Sequence, residues 1–331
     1  MTRRERILAA VRHEEPDRVP YQVDLTIPAN TRLAEYTGDA HYIESIGNHI
    51  IKAQYNHADE IRPGYWRDRF GVVWNRAGAD KDIGVVEDYL LPEPTLSGYN
   101  FPQIEESEWR KIIEQTLERA EDKCAIAAVG FSLFERAWSL RGMENLLIDM
   151  VTEPDFVDEL LEAICEYNLK IIEIALEYPI DGIHFGDDWG QQKGLIMGPN
   201  YWRRFIKPRV AKMLEPVKRA GKFTSHHSCG DISELFGDLI DIGLDVYQTF
   251  QPEIYNISEV KQEFGNRLAF WGGISTQRVL PWLSPDEVKQ VTHNMIKTMG
   301  PGGGYIAGPT HAVPGDVPPE NIIAMIEALR D

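Results

Sequence analysis

From residue 125 to the C-terminus the chain alternates between short β-rich runs and amphipathic stretches long enough for helices. That pattern restricts the fold strongly, because successive parallel strands can be joined only by a long crossover, usually a helix. The predicted strands are 18–24, 71–74, 125–130, 182–187, 222–227, 246–251, 268–271 and 304–307. The predicted helices are 3–13, 143–150, 154–177, 200–220, 231–242, 258–264, 285–299 and 319–329. Pro154 and Pro285 occupy first-turn positions, the second behind Ser284 as N-cap, and Gly221 and Gly243 close two of the helices. Eight strands in one chain predict an α/β protein with a single (β/α)8 TIM barrel spanning residues 1–331. The open doubly wound alternative lacks its usual strand-linked G-x-G-x-x-G. Helix 3–13 forms an N-terminal helical extension. The stretch 71–108, rich in Gly, Pro and Asp, is read as an inserted loop region over one end of the barrel.

Composition narrows the function. With 34 basic and 52 acidic residues the net charge is −18, which gives a nucleic-acid role no electrostatic footing. Met1 to Ala10 contains no apolar run of leader length, and no stretch approaches the ~18 apolar residues of a membrane span. Three cysteines, Cys124, Cys165 and Cys229, cannot all pair and do not form a disulfide framework. A reduced, cytoplasmic setting without membrane attachment is the expectation.

A barrel gathers its chemistry at the C-terminal ends of its strands. In strand order these ends carry Phe131, then His184-Phe185-Gly186-Asp187-Asp188-Trp189, His227-Ser228-Cys229-Gly230, Gln248 and Gln251, Trp271-Gly272-Gly273, and Thr310-His311. Residues i and i+2 of a strand share a face, so His227 and Cys229 can converge on one point while His226 faces away. If His311 lies nearby, the three make an N/S/N set with room for a fourth ligand, the composition of a catalytic zinc site. The bland reading is a buried cysteine beside histidines bonded to backbone.

Asp187 and Asp188 are candidates for proton transfer or for orienting a ligand histidine, and one of them for a helix cap. Phe131, Trp189, Gln191, Gln248 and Trp271 are candidates to line a substrate pocket. His184, inside an apolar run, is read as a satisfied core histidine or a support to the site. Arg136, Trp138 and Arg141 fit either an anionic ligand or a salt-bridged helix face. Cys124 and Cys165 have no partner motif and are read as packing residues.

Several blocks together resemble the uroporphyrinogen decarboxylase superfamily and, within it, the corrinoid-dependent methyltransferase branch. They are Arg4-Glu5-Arg6-Ile7-Leu8-Ala9-Ala10, Glu14-Glu15-Pro16-Asp17-Arg18-Val19-Pro20, Phe185-Gly186-Asp187-Asp188-Trp189-Gly190, His227-Ser228-Cys229-Gly230, Trp271-Gly272-Gly273-Ile274 and Asp316-Val317-Pro318-Pro319-Glu320-Asn321. The resemblance extends over nearly the whole chain and implies the barrel reached above. Members similar to methylcobamide:coenzyme M methyltransferases bind zinc through an H-x-C pair and a late cysteine. His227 and Cys229 match the pair, and His311 stands where the late cysteine would be. One thiolate fewer makes the metal more electrophilic, which suits an oxygen leaving group better than a thiol acceptor. The arginine-rich N-terminal motif of the decarboxylases proper is absent from Tyr21-Gln22-Val23-Asp24-Leu25-Thr26.

The resemblance therefore implies a methyltransferase that uses Zn²⁺ held by His227, Cys229 and His311. It would move a methyl group between a small methylated substrate, an O-methyl compound favoured, and cobalamin carried by a corrinoid protein. Gly272, Gly273 and Gln251 are the candidates for meeting the corrinoid, with plain turn glycines as the alternative. Two rivals stand beside this reading. One is a metal-independent decarboxylase of a polycarboxylate, which predicts several arginines at the mouth. The other is a non-catalytic corrinoid- or ligand-binding relative.

Overall fold

The computed structural model describes residues 1–77 and 84–331. Its centre is a seven-stranded, all-parallel sheet wrapped by helices, in an α/β architecture. Strand β1 (Ile50–Gln54) comes first, and is followed by a separate antiparallel sheet of β2 (Ala58–Arg62), β3 (Tyr65–Asp68), β4 (Val73–Asn75) and β5 (Val85–Val86). The chain then returns to the parallel sheet with β6 (Cys124–Val129) and β7 (Gly182–Gly186). A small hairpin, β8 (Gly190–Gln191) and β9 (Gly194–Leu195), precedes β10 (Phe223–His227), β11 (Val246–Phe250), β12 (Ala269–Ile274) and β13 (Tyr305–Pro309). The spatial order is β1-β6-β7-β10-β11-β12-β13, so neighbours in space are neighbours in sequence once the antiparallel excursion is set aside.

Strands covered on both faces read as continuous apolar runs. In β6 all six residues, Cys-Ala-Ile-Ala-Ala-Val, are buried, and all six of β12 are buried too. The helix Pro154–Leu176 forms for the complementary reason. Its buried positions recur in pairs three or four apart, from Phe156/Val157 through Leu160/Leu161 and Ile164/Cys165 to Ile174/Ala175. Each such leucine contributes about 1.5–3 kcal/mol on burial. Ser284 caps Pro285–Met299 in a reciprocal box with Glu287, as Thr2 and Glu5 do for Arg3–Val11.

Six predicted strands correspond to β6, β7, β10, β11, β12 and β13 within a few residues. Two strand expectations are corrected. Residues 73 and 74 belong to the antiparallel sheet, not the parallel one. The strand at that place in the parallel sheet is β1, whose sequence Ile-Ile-Lys-Ala-Gln hides a strand behind a lysine. Segment 18–24 is extended but joins the sheet by single bridges. Gln22 N–H donates to Ala307 O and Ala307 N–H to Pro20 O on the β13 side; His49 N–H donates to Tyr21 O on the β1 side. The Gln22 side chain accepts from Ile50 N–H.

The inserted region starts earlier than expected, at Ala58, and its residues 78–83 lie outside the described residues. The predicted helix 231–242 divides into a tight turn, Ser233–Leu235, and a short helix, Phe236–Asp241. Helices Ile27–Thr37, Glu106–Glu118 and Phe134–Arg141 had no counterpart in the predicted set. Among the described residues no helix is long and apolar enough to cross a membrane.

Candidate metal centre

His227 ends β10 and sits in register between Gly186 of β7 and Gln248 of β11. Strand alternation sends His226 to the opposite face, where it is buried and stacks on Trp189 with ring centroids 4.1 Å apart. Burial holds its imidazole at about 3, so it stays neutral. His227 points the other way. Its Nδ1–H donates to Gln248 Oε1, which leaves the Nε2 lone pair facing Cys229 Sγ at 3.6 Å.

His311, just beyond β13, brings its ring centroid to 5.4 Å from that of His227. The donor atoms of His227, Cys229 and His311 all lie within 4.8 Å of one another. Zinc bonds of about 2.0–2.3 Å at tetrahedral angles place donors roughly 3.4–3.7 Å apart. The His227–Cys229 pair already has that spacing, and an N/S/N donor set suits zinc. Burial, then the Asp188 carboxylate, pushes the Cys229 thiol well above its usual range. A bound cation is what would make it a thiolate.

The turn after β10 is held by backbone packing. Gly230 has φ +78°, and a Cβ there would fall 2.2 Å from the carbonyl carbon of Gly190 in the β8–β9 hairpin. Only glycine fits that approach. The same turn is bonded from three sides. Cys229 N–H donates to Asp188 Oδ1 (2.7 Å), Gly230 N–H to Gln251 Oε1 (3.0 Å), and Trp189 N–H to Ser228 Oγ (2.9 Å).

The two aspartates separate in role. Asp188 stands beside the cluster, with Oδ1 3.6 Å from His227 Nε2. Asp187, expected as a possible proton carrier, is fully buried. Its carboxylate accepts from Leu133, Phe134 and Glu135 backbone N–H and from Trp189 Nε1 (3.3, 3.0, 2.8 and 2.6 Å). It thus caps the helix Phe134–Arg141, where negative charge is favoured. Burial raises it to about 6 despite those four bonds.

Glu135, in that helix's first turn, was not singled out from the sequence. Burial, then Asp188 and Asp187, push its carboxyl well above the usual range. Nothing in its local sequence marks it, since its neighbours arrive from another strand.

A cavity of about 610 Å³ opens from His227 and His184 toward the antiparallel sheet. Of the five substrate candidates, Phe131 lines it. Trp189 is buried behind the sheet against His226 and Trp202. Gln191 is exposed on β8. Gln248 serves His227, and Trp271 is buried between Lys52 and His184. None of these four side chains is part of the cavity lining, whereas Phe131 is.

The candidates toward a corrinoid also have packing roles in the fold. Gly272 and Gly273 are required by packing: a Cβ on Gly273 would lie 2.9 Å from the Tyr305 hydroxyl, which donates to Gly272 O (2.8 Å). Gln251 supports Gly230. His184 donates or accepts at Ser225 Oγ (2.8 Å) and, being buried, is held well below its usual range. Cys124 and Cys165 are buried and free.

Much of the cavity wall comes from the connection after β1 and from β3, β4 and the turn between them, including Tyr55, Trp66, Asp68, Arg69 and Trp74. The antiparallel sheet was invisible as such, so these residues were missed. Arg136, noted from the sequence, reaches the cavity and pairs with Asp68 (2.6 Å). Arg141 does not, and is buried in a pair with Asp149 (2.7 Å).

Removing the Gln248 amide tests how His227 is held. Gln248→Ala should leave the fold intact and weaken zinc affinity by about 10–100-fold, measured by competition with a chromogenic chelator.

A parallel α/β sheet with its polar cluster at the strand ends belongs to a class that uses those ends for binding and catalysis. The chain belongs to the uroporphyrinogen decarboxylase (URO-D) family, which it matches over residues 82–331. It is 22% identical over 182 residues to a uroporphyrinogen decarboxylase of Methylococcus capsulatus, covering 55% of this chain and 50% of that protein. A uroporphyrinogen decarboxylase of Coxiella burnetii is 21% identical over 182 residues, covering 54% and 48%. The chain thus spans about half the length of these curated relatives. In three dimensions it is similar to a methyltransferase from Methanosarcina mazei, with a TM-score of 0.74, 18% identity, and coverage of 100% and 98% of the two chains.

Proposed function

We propose that this protein is a zinc-dependent methyltransferase that moves a methyl group between a small O-methyl compound and a corrinoid protein. The observation that carries the reading is the convergence of His227, Cys229 and His311 at strand ends, with His227 also lining the cavity. When bound, zinc would supply Lewis acidity at the donor oxygen, and the partner's corrinoid the nucleophile that takes the methyl. Gln248 keeps the His227 tautomer that presents Nε2, and Asp188 anchors Cys229 through its N–H. Trp74 and Phe131, in edge contact, line the same cavity and would give the substrate an apolar wall.

In the same reading the sheet closes as an eight-membered barrel. Segment 20–24 would be the eighth stave, bonded to β13 on one side and to the β1 approach on the other.

A second reading has its own support. The cavity is lined by Arg69, Arg76 and Arg136, and arginines at the mouth were the expectation for a decarboxylase of a polycarboxylate. Arg69 is paired with Glu108, Arg136 with Asp68, and Arg76 lies over the Trp66 ring.

The experiment that decides mixes the zinc-loaded chain with a corrinoid protein in the cob(I)alamin state and a methoxylated aromatic. Appearance of the methyl-cobalt(III) absorbance that depends on the chain supports methyl transfer. Release of CO₂ from a polycarboxylate by metal-free protein would replace it with decarboxylation.

A further inference from the structure

The fold spends several of the cavity's polar groups on one another. Asp68 accepts from Trp74 Nε1 and from Arg136, Asn168 donates to Ser132 O, and His227 Nδ1–H serves Gln248. His184 differs. It lines the same cavity as His227 and is only half-buried. Its Nδ1 meets Ser225 Oγ at 2.8 Å, while its Nε2 has no partner among the described residues. That nitrogen is not sealed into the core, so it opens on the cavity.

The Ser225 hydroxyl decides which nitrogen of the ring carries the proton. Ser225 is fully buried, and among the described residues His184 Nδ1 is the one hydrogen-bond partner of its hydroxyl. A buried donor without an acceptor costs more than a spare lone pair, so the hydroxyl donates and Nδ1 accepts. Burial, then the Lys52 ammonium, hold the ring well below its usual range, so it is neutral. The single ring proton therefore sits on Nε2, as a donor facing the cavity. His227 is the opposite case, with Nδ1–H spent on Gln248 and a bare Nε2. The two histidines stand on neighbouring strands. His184 is in register with Ser225, two residues before His227 on the same face of β10. His184 thus lies one side-chain layer deeper, roughly 6.6 Å along the strands.

We infer that His184 is a substrate-binding residue, whose Nε2–H donates to an oxygen of a ligand held in this cavity. The ligand class is an uncharged aromatic ether, its ring against the apolar wall of Phe131 and Trp74. Identifying that oxygen as the one that loses its methyl group rests on the methyltransferase reading; the donor itself does not. When the methyl passes to the cobalt of the partner's corrinoid, the carbon–oxygen bond breaks and its electron pair stays on oxygen. His184 meets that developing charge with its N–H and keeps its own proton, a role open to a neutral imidazole.

Anisole and ethylbenzene have nearly the same shape and differ by an ether oxygen in place of a methylene. Isothermal titration of the full chain with each gives an oxygen preference, the ratio of the two affinities. His184→Asn keeps an acceptor where Nδ1 meets Ser225 and removes the cavity donor, so the preference should fall by about 3–10-fold. His184→Gln carries an amide N–H out toward the Nε2 position and should restore the preference to within about twofold. A spectrum of wild type labelled with ¹⁵N-histidine covers the case in which neither variant folds. The His184 signals, assigned through contact with the Trp271 ring 5.4 Å away, should show the proton on Nε2. A proton on Nδ1, no binding of anisole, or a preference unchanged in His184→Asn would overturn the site. A preference lost equally in both variants would reduce His184 to packing and overturn it too. An oxygen preference that follows His184 in a protein that transfers no methyl from any ether would sink the methyltransferase reading and leave the donor standing.

Discussion

Replacing Cys229 with alanine is expected to take zinc from about one ion per chain to none measurable, with methyl transfer lost along with it. The thiolate is the one anionic donor in the set, and two neutral imidazoles alone hold zinc far more weakly. The fold should survive. Cys229 is only partly buried, and its N–H to Asp188 is a backbone bond that alanine keeps. Elemental analysis of wild type and variant, beside a thermal unfolding curve of each, separates metal loss from unfolding. A metal-free wild type, even after incubation with zinc, would remove the centre and return attention to decarboxylation. A variant that still holds stoichiometric zinc would move the site away from Cys229.

Asp187→Ala should produce the largest loss of stability. Its carboxylate is buried and accepts three backbone N–H groups and one indole N–H. Deleting it leaves those donors without an acceptor and uncaps Phe134–Arg141. Removing one partner from such a buried network costs about 3–5 kcal/mol, and Tm should fall by roughly 10 °C. Zinc stoichiometry should hold in the folded fraction, because none of the four bonds reaches the cluster. An equally stable variant that binds zinc but transfers no methyl would instead place Asp187 in the chemistry.

Most of the parallel sheet was legible from sequence because its strands are covered on both faces. Runs such as Cys-Ala-Ile-Ala-Ala-Val in β6 have few other uses, and the helices between them carry regular apolar stripes. Strand β1 was not legible, since Lys52 in its middle is neutralised by Asp24 (2.5 Å), a residue from another segment. The antiparallel sheet was lost for a related reason: β2 reads Ala-Asp-Glu-Ile-Arg, mostly exposed, and shows no alternating face.

The pairing of His227 with Cys229 follows from local geometry, two residues on one face of a strand followed by a glycine turn. The sequence by itself therefore determined the layered α/β plan, the strand ends as the place for chemistry, and which nitrogen- and sulfur-bearing residues stand there. Only the tertiary structure decided what surrounds each of those groups. Asp187, Trp189, Gln248 and Trp271 have the residue types of an active site, and in the fold Asp187 accepts from Trp189 and from backbone N–H groups 52–54 residues away, Gln248 meets His227, and Trp271 is buried. Arg69, Arg136 and Tyr167 look ordinary in sequence, and they meet at one cavity because the antiparallel sheet folds across the strand ends. Residue type is a local property; a hydrogen-bond partner, or the lack of one, depends on segments up to hundreds of residues apart.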